Sequence, residues 1–554
     1  MTLAQVERWA REHGISRARF ARVHDRAFLT AVSRLLQALY REGYTPSSAL
    51  RRDAAGPWSL DLGKEPTLRA PVSGPLPFRR LEVTGVPWTI GARGRTLLRT
   101  PRAFLHALRR CLTAPGIVRR FDRVVADFDN SFANLVLNRL LGDRLRRGAL
   151  AIEPVYHGHH YAPFPALRVG PSIAQVVRCS NLCQHPVGMP LVAVEPGRFQ
   201  SADFDDHWTC LRAWAGLSIP HGRHVVIPLH PWQIELSPVV RTLLERRWIT
   251  VLPDRLAAVP LASQRTCRIL STGFDVKLPV AATLTSEVRL LYPLNRANAP
   301  TVSALARILL ETSGETTLDF QRDVASVAHA EPRIGTHLSA IVRAPVVPRA
   351  GEVIVPALNL WAGRKASRLL DVRRPGEAEE FFHTYCGVLM RGPVDFYARW
   401  GMAFEPHLQN VLVALRAGMP SRIVLRDLDA TILDPVRIRP LLKTHHLRLD
   451  PTTWRHMPSY ERGGQRLTHA MLYGHLGEVM SCLVAATGVD QTRLTSALDD
   501  TWNALIRAAP SPACRRRVRD LRAQSSTVRA MLRRRLSEPT PGRCVTVGSA
   551  RRRS

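Results

Sequence analysis

The hydrophobic pattern changes period twice along the chain, and this limits the fold more than any single motif does. Residues 1 to about 50 and 100 to 148 repeat apolar side chains at helical spacing, as in Phe28, Val32, Leu35, Leu36 and Leu39. Between them lies a Pro/Gly-rich, strand-like stretch from Pro57 to Pro87. From about Ala151 to Pro356 the runs shorten to strand length, as in Leu191–Val194, His224–Leu229 and Trp248–Leu252, with Pro and Gly at their borders. From about Glu379 helical patterns return, interrupted by Ser421–Asp429, whose apolar start reads as a buried strand. A chain of 554 residues patterned in such blocks needs several packed layers. The expectation is an α+β, multidomain fold with a helical N-terminal unit, a mixed α/β centre and a helix-rich C-terminal region. No internal repeat is visible.

With 45% hydrophobic and 22% charged residues, the composition is globular rather than disordered or collagenous. The net charge of +33 is unusual and fits a polyanion partner, nucleic acid among the choices. Two details place nucleic acid behind other partners. Only Lys64, Lys277, Lys365 and Lys443 are lysine, so the excess is an arginine bias spread over the chain. About a third of the net charge lies from Cys514 to Ser554, where thirteen arginines face Asp520 and Glu538. Its runs, Arg515–Arg517, Arg533–Arg535 and Arg551–Arg553, with Pro539, Pro541 and Gly542 between, read as a solvated helix end followed by a disordered arm. Aromatics make up only 6%, with no interleaved aromatic and basic platform for single strands.

The first residues mix charge into a helical period without the apolar core of a secretory signal, and no apolar window reaches the length of a membrane span. Nine cysteines, an odd number without a CxxC pair, read as reduced thiols, so the expected setting is cytoplasmic with no membrane partner. The motifs GxxxxGK[ST], GxGxxG, HExxH and GxSxG are all missing.

Four clusters carry chemistry. Ser263-Gln-Arg265-Thr266 precedes Lys277 and Thr285–Arg289; written as one strand, Leu278, Val280, Ala282 and Leu284 share a face opposite Lys277, Thr285, Glu287 and Arg289. A point charge, a planar fork and hydroxyls on one face suit phosphate oxygens. Glu405-Pro-His407-Leu-Gln409-Asn410 reads as the opening of a helix running to Gly418, a polar face at a helix N-terminus. Arg426-Asp427-Leu-Asp429 ends an apolar strand with two carboxylates, either a turn-forming pair or an oxygen-ligand metal site. His230-Pro-Trp-Gln233 ends a strand with an aromatic anchor.

In this order the clusters resemble the IucA/IucC family, the siderophore synthetases that work without a nonribosomal peptide synthetase, with an FhuF-like C-terminal region. The motifs that carry the likeness are S-x-R-T at Ser263–Thr266, K-L at Lys277-Leu278, T-x-x-x-R at Thr285–Arg289, H-P-W-Q at His230–Gln233, E-x-H-x-Q-N at Glu405–Asn410 and R-D at Arg426-Asp427. The resemblance implies a hand-like thumb, fingers and palm fold. It divides the chain into an N-terminal thumb-like region at 1–120, a fingers-like central domain at 121–356, a palm at 357–513 and a basic tail at 514–554.

It also implies an acid-amine ligase that uses ATP and Mg2+ to adenylate citrate or a dicarboxylic-acid derivative, followed by capture by an amine, hydroxylamine or alcohol. By the same resemblance Ser263, Arg265, Thr266, Lys277, Arg289, His407 and Asn410 hold ATP, with His407, Lys277 and Arg289 catalytic. His159, Arg168 and Thr285 receive the acid, and Asn410, Asp427 and Glu405 hold the metal. A homodimer is an assembly the resemblance allows. One segment departs from the family pattern: in Gly158–Gly170 its second His and its Lys are Ala162 and Ala166, while His159 and Arg168 remain. A degenerate ATP-binding partner subunit is therefore the alternative to an active synthetase, and a basic nucleic-acid-binding protein is a more distant one.

Overall fold

The computed structural model describes residues 1–145, 158–202, 225–360 and 372–532 apart from breaks of one to four residues, together with Glu153, Leu370 and the strand Cys544–Thr546. The N-terminal helices Leu3–Glu12 and Arg17–Arg41 start where Thr2 and Ser16 accept backbone N–H groups of Gln5 and Arg19. The expected apolar stripe of the second helix, Phe28, Val32, Leu35 and Leu36, is buried against Phe104, Phe128 and Phe132. This unit is not simply helical. Strands β1 (Leu50–Arg52), β2 (Trp58–Asp61), β3 (Thr67–Pro71), β4 (Trp88–Gly91) and β5 (Gly94–Leu97) form an antiparallel meander. The long helix Phe121–Leu145, placed beyond the expected boundary at 120, packs on Arg17–Arg41 and joins the same core.

The central region contains β6 (Arg168–Val169), β7 (Val187–Val194), β8 (Phe199–Ala202), β9 (Val225–Pro228), β10 (Ile249–Pro260), β11 (Thr266–Ile269), β12 (Asp275–Lys277), β13 (Val280–Leu284) and β14 (Glu287–Arg289). After them come β15 (Leu318–Phe320), β16 (Asp323–His329), β17 (Ser339–Arg343) and β18 (Glu352–Pro356). Eight of these pair antiparallel in the order β8-β16-β17-β12-β11-β10-β7-β9. The expected single strand from Lys277 to Arg289 is instead broken. Pro279 interrupts the ladder after β12, so Lys277 stays in the large sheet while β13, β14 and β6 form a separate three-stranded sheet. A tight reversal at Thr285-Ser286 puts Val288 on the solvent side, not in the core.

In the C-terminal region the helix Pro375–Trp400 covers a four-stranded sheet in the order β15-β21-β20-β18, where β20 is Val411–Arg416 and β21 Met419–Leu425; β19 (Met402–Ala403) pairs with β22 (Ile432–Leu433). The helix expected after Asn410 is therefore a strand. Val411 to Leu415 is apolar throughout and buried on both faces, a run whose periodicity cannot tell helix from strand. Ala417 and Gly418, both at positive φ, form the two-residue hairpin turn to β21, so the glycine read as a helix stop closes a hairpin.

The tail opens with the expected helix end, but that helix is packed on one face. Pro512–Ala523 is a helix that buries Cys514, Val518 and Leu521 and packs on Pro375–Trp400, with only its arginine face solvated. The runs at 533–535 and 551–553, with Pro539, Pro541 and Gly542, lie outside the described residues. Elsewhere the arginine excess is partly internal: Arg80, Arg343, Arg422 and Arg426 are buried and ion-paired, so they are not surface charge for a polyanion. No helix among the described residues is long and apolar enough to cross a membrane.

Candidate active site: a cleft between the central sheets and the C-terminal unit

Five pieces of chain converge on one cleft of about 340 Å3: the loop Gly158–Arg168, the turn Ser263–Thr266, the β13–β14 hairpin, and the loops Glu405–Asn410 and Arg426–Asp429. All twelve residues expected from the sequence line it, namely Ser263, Arg265, Thr266, Lys277, Thr285, Arg289, His159, Arg168, Glu405, His407, Asn410 and Asp427. The convergence depends on Glu153, which no sequence pattern singled out. Its buried carboxylate takes Arg426 bidentately at 2.6 and 3.0 Å and accepts the Ala262 N–H at 3.1 Å, clamping the Ser263 turn to the C-terminal loops. Arg426 also donates to the Gln409 carbonyl at 2.6 Å. It is thus a scaffold residue.

One end of the cleft is a network of matched charges. Lys277 Nζ reaches Asp427 Oδ1 and Asp429 Oδ1, each at 2.7 Å, and is only 2% exposed. Arg343 on β17 donates to Asp427 at 2.5 Å and to Asp323 at 2.7 Å. Burial pushes the Asp427 carboxyl up, but Lys277, Arg343 and Arg265 outweigh it and hold it well below the usual carboxylate range. Asp429 belongs to the cluster read from the sequence, whereas Arg343 has no local signature and is brought in by the β12–β17 pairing. Asp427 does not end a strand; it sits at φ 71 and starts a short 3-10 turn. Gln264 and Thr285, the latter β-branched, also carry positive φ, so backbone strain gathers in the lining of the cleft.

The hydroxyls and forks at this end are held by neutral groups. Ser263 Oγ accepts the Thr266 N–H at 3.1 Å, and Arg265 donates to the Leu290 carbonyl. Arg289 donates to the Leu284 carbonyl and to Thr285 Oγ1. Asn410 donates to the Glu405 carbonyl at 3.2 Å, and the Glu405 carboxylate receives Arg466. Among the described residues no three His, Cys, Asp or Glu side chains converge as a ready metal site.

The other end is built from histidines and one arginine. Gly158, at φ +70, lets the chain fold back so that His159 N–H donates to the Pro165 carbonyl at 2.7 Å; a Cβ at Gly158 would sit 2.4 Å from that oxygen. His159 stacks on His160 at 4.7 Å and meets His407 edge-on at 6.3 Å. His160 Nε2 bonds the Gly474 carbonyl at 2.6 Å, within the π-helical turn His469–Leu476. Burial first, then the neighbouring imidazoles, lowers both His159 and His160 well below the usual imidazole range, so both are neutral at neutral pH.

Arg168 is 5% exposed, and its side-chain partner is the neutral Asn134 Oδ1 at 2.9 Å. Its Nε is buried without a hydrogen bond, and desolvation lowers the guanidinium to about 10. Of the two positions that depart from the family pattern, Ala166 lines the cleft and Ala162 is buried beneath it.

His230-Pro-Trp-Gln233 lies outside the cleft as support. His230 caps the helix Pro231–Leu236 and bonds the Gln264 carbonyl at 3.0 Å, while Gln233 accepts the Ala281 N–H at 2.7 Å. It braces the Ser263 turn and β13 from behind.

With the cleft described, sequence and fold comparisons agree on its origin. Residues 149–362 match the IucA / IucC family, and residues 379–542 match the family described as ferric iron reductase FhuF-like transporter. The two matched stretches carry most of the residues that line the cleft. Its relatives include staphyloferrin A synthase of Staphylococcus aureus, 25% identical over 226 residues, which cover 38% of this chain and 37% of that protein. L-2,3-diaminopropanoate–citrate ligase of the same organism is 21% identical over 418 residues, covering 70% of this chain and 72% of the ligase. The match to the first of these spans little more than a third of that relative's length.

Solved structures share the multidomain fold. The petrobactin biosynthesis protein AsbB of Bacillus anthracis superimposes with a TM-score of 0.76 at 16% identity, over 95% of this chain and 94% of that one. ATP-bound aerobactin synthetase IucA of Klebsiella pneumoniae gives 0.72 at 17% identity, over 92% and 97%.

Proposed function

We propose that the protein is an ATP- and Mg2+-dependent siderophore synthetase, an acid-amine ligase that adenylates a carboxylic acid and passes the acyl group to an amine, hydroxylamine or alcohol. Citrate or a dicarboxylic-acid derivative is the acid class, in keeping with relatives named for staphyloferrin A and for citrate ligation. The observation that carries this reading is that one cleft holds, at one end, the Lys277–Asp427 charge network and, at the other, a buried arginine that among the described residues has only a neutral partner. A buried guanidinium without an anion is costly unless a ligand supplies one.

Arg265, Lys277, Arg289 and the Ser263 and Thr266 hydroxyls would hold the nucleotide, with His407 and Asn410 facing them. Arg168, His159 and Thr285 would receive the acid. In the first step a carboxylate oxygen bonds to the α-phosphorus and the bond to pyrophosphate breaks. In the second the nucleophile bonds to the acyl carbon, AMP leaves, and the nucleophile loses its proton. The first step brings two anions together, so its main requirement is positioned positive charge, which Arg265, Arg289 and Lys277 would supply from fixed sites. Asp427, Glu405 and the Asn410 amide oxygen, hard oxygen donors on neighbouring loops, would hold Mg2+, with Asp427 and Glu405 exchanging their ion-pair partners Lys277, Arg343 and Arg466 for it. When bound, the ion would neutralise phosphate charge. The neutral His159 and His160 add no charge at the acid end, leaving Arg168 as its buried cation.

The alternative, a partner subunit without acid activation, rests on Ala162 and Ala166; the retained, buried Arg168 favours the active enzyme. The test is pyrophosphate release in ATP and Mg2+ across a matrix of acids and amines, with products identified by mass. Stimulated release and a condensed product are expected for at least one pair. Release that ignores the acid in every combination would refute the synthetase reading.

A further inference from the structure

The carboxy-terminal segment does more than carry charge. After the helix Pro512–Ala523, strand β23 (Thr527–Arg529) packs against the helix Tyr460–Thr468 and the π-helical turn His469–Leu476. Two residues later Met531 lines the cleft. Leu532 is then completely buried in the N-terminal core, and its N–H donates to Glu42 Oε1 at 2.9 Å. Glu42, at the end of the helix Arg17–Arg41, is itself fully buried. The segment therefore runs from the C-terminal unit to the N-terminal unit along the side of the cleft that carries His469, Ala470 and Gly474, and it is anchored at both ends.

Met531 sits between those anchors, partly buried on the C-terminal core, with its thioether side chain on the cleft. An unbranched, adaptable apolar side chain suits contact with an aliphatic chain and offers nothing to a carboxylate or phosphate. Arg168, Arg289 and Lys277, which serve the anionic groups, all lie on other elements. We propose that Thr527–Arg529, Met531 and Leu532 form a wall of the cleft and that Met531 is a specificity-determining residue, taking the aliphatic part of the acceptor that captures the acyl group. The identity of that occupant rests on the ligase reading above; the wall itself does not.

The test compares the parent with Met531→Ala and Met531→Trp over amines of increasing chain length at saturating ATP. The preferred length is expected to move in opposite directions in the two variants, with about tenfold changes in acceptor KM and an ATP KM within about twofold of the parent. An unchanged length preference in both variants overturns the role of Met531. Hydrogen exchange on the full chain tests the wall without any substrate. Leu532→Asp is expected to speed exchange at 527–532 and at 469–476 while the helix 375–400 keeps its protection; unchanged exchange at 469–476 overturns the wall. If that variant does not fold, Leu532→Ala loosens the same anchor and is read in the same way. A parent that makes no product from any acid and amine defeats the ligase reading and the acceptor role together, and the exchange result then decides the wall alone.

Discussion

The two ends of the cleft treat charge in opposite ways. At the proposed nucleotide end, Lys277 and Arg343 are matched by Asp427, Asp429 and Asp323, so the site is neutralised internally and a ligand has to exchange partners. At the proposed acid end, Arg168 has Asn134 and, among the described residues, no carboxylate, and the adjacent imidazoles are neutral. A matched network contributes to stability and lends its charges only on binding, whereas an unmatched buried cation costs stability and is repaid by the ligand's anion. The difference explains why one end can lose two basic positions to alanine without leaving the fold short of counter-charges: the acid end is not neutralised from within.

Substitutions separate the two behaviours. The largest effect is expected for Lys277→Ala, which leaves Asp427 and Asp429 sharing Arg343. Unfolding free energy should fall by about 3–5 kcal/mol, as for other broken buried pairs. Pyrophosphate release should fall by about 10²–10³-fold or more. Denaturant titration and a coupled pyrophosphate assay measure the two, and an equally stable variant would show that the network is not matched as described.

Arg168→Met should do the reverse. Acid KM rises by at least about tenfold, on the order of one lost charge-assisted hydrogen bond, while the melting temperature is unchanged or higher because the unpaired guanidinium is gone. A clear loss of stability in this variant would erase the contrast.

A third, smaller effect is pH dependence. Burial pushes His230 down to about 4 and His475 down to about 3, both despite a backbone hydrogen bond. An unfolded imidazole titrates near about 6.5. Above that pH both states are neutral and nothing changes; below it the unfolded chain takes up protons that the folded chain refuses. Stability should therefore fall as pH drops from about 6.5 towards 4 and 3. Thermal unfolding across that window checks this, and His230→Gln should reduce the slope.

The smallest effect is expected for Ser263→Ala. It removes the acceptor of the Thr266 N–H and should cost about 1 kcal/mol, with a few-fold rise in the KM for ATP and no change in the KM for the acid. A change in acid KM would mean that the two ends are not separable.

The motifs were legible because each is short and local. Ser263–Thr266, Glu405–Asn410 and Arg426-Asp427 name their residue types at fixed spacings, and all of them line the cleft. The conformations around them were less legible. Val411–Leu415 is apolar on every side, so its identity as β20 was decided by the partners β18 and β21 rather than by its own period. Lys277 and Arg289 share an alternating pattern across Pro279, yet they belong to different sheets. In the carboxy-terminal stretch composition pointed to solvent, but Val518, Leu521 and Leu532, spaced among arginines, carry the packing.

By itself, then, the sequence determined the family resemblance, the change from helical to strand-rich and back, and the chemical types available for phosphate, carboxylate and metal. Those follow from local spacing and side-chain chemistry. Tertiary structure decided which charges meet: Glu153 with Arg426 and Ala262, Arg343 with Asp427, Arg168 with no anion, and Met531 with the cleft. Such pairings join residues more than 80 positions apart, or leave a group alone in the interior. Their energy depends on burial and distance, which a linear pattern does not contain.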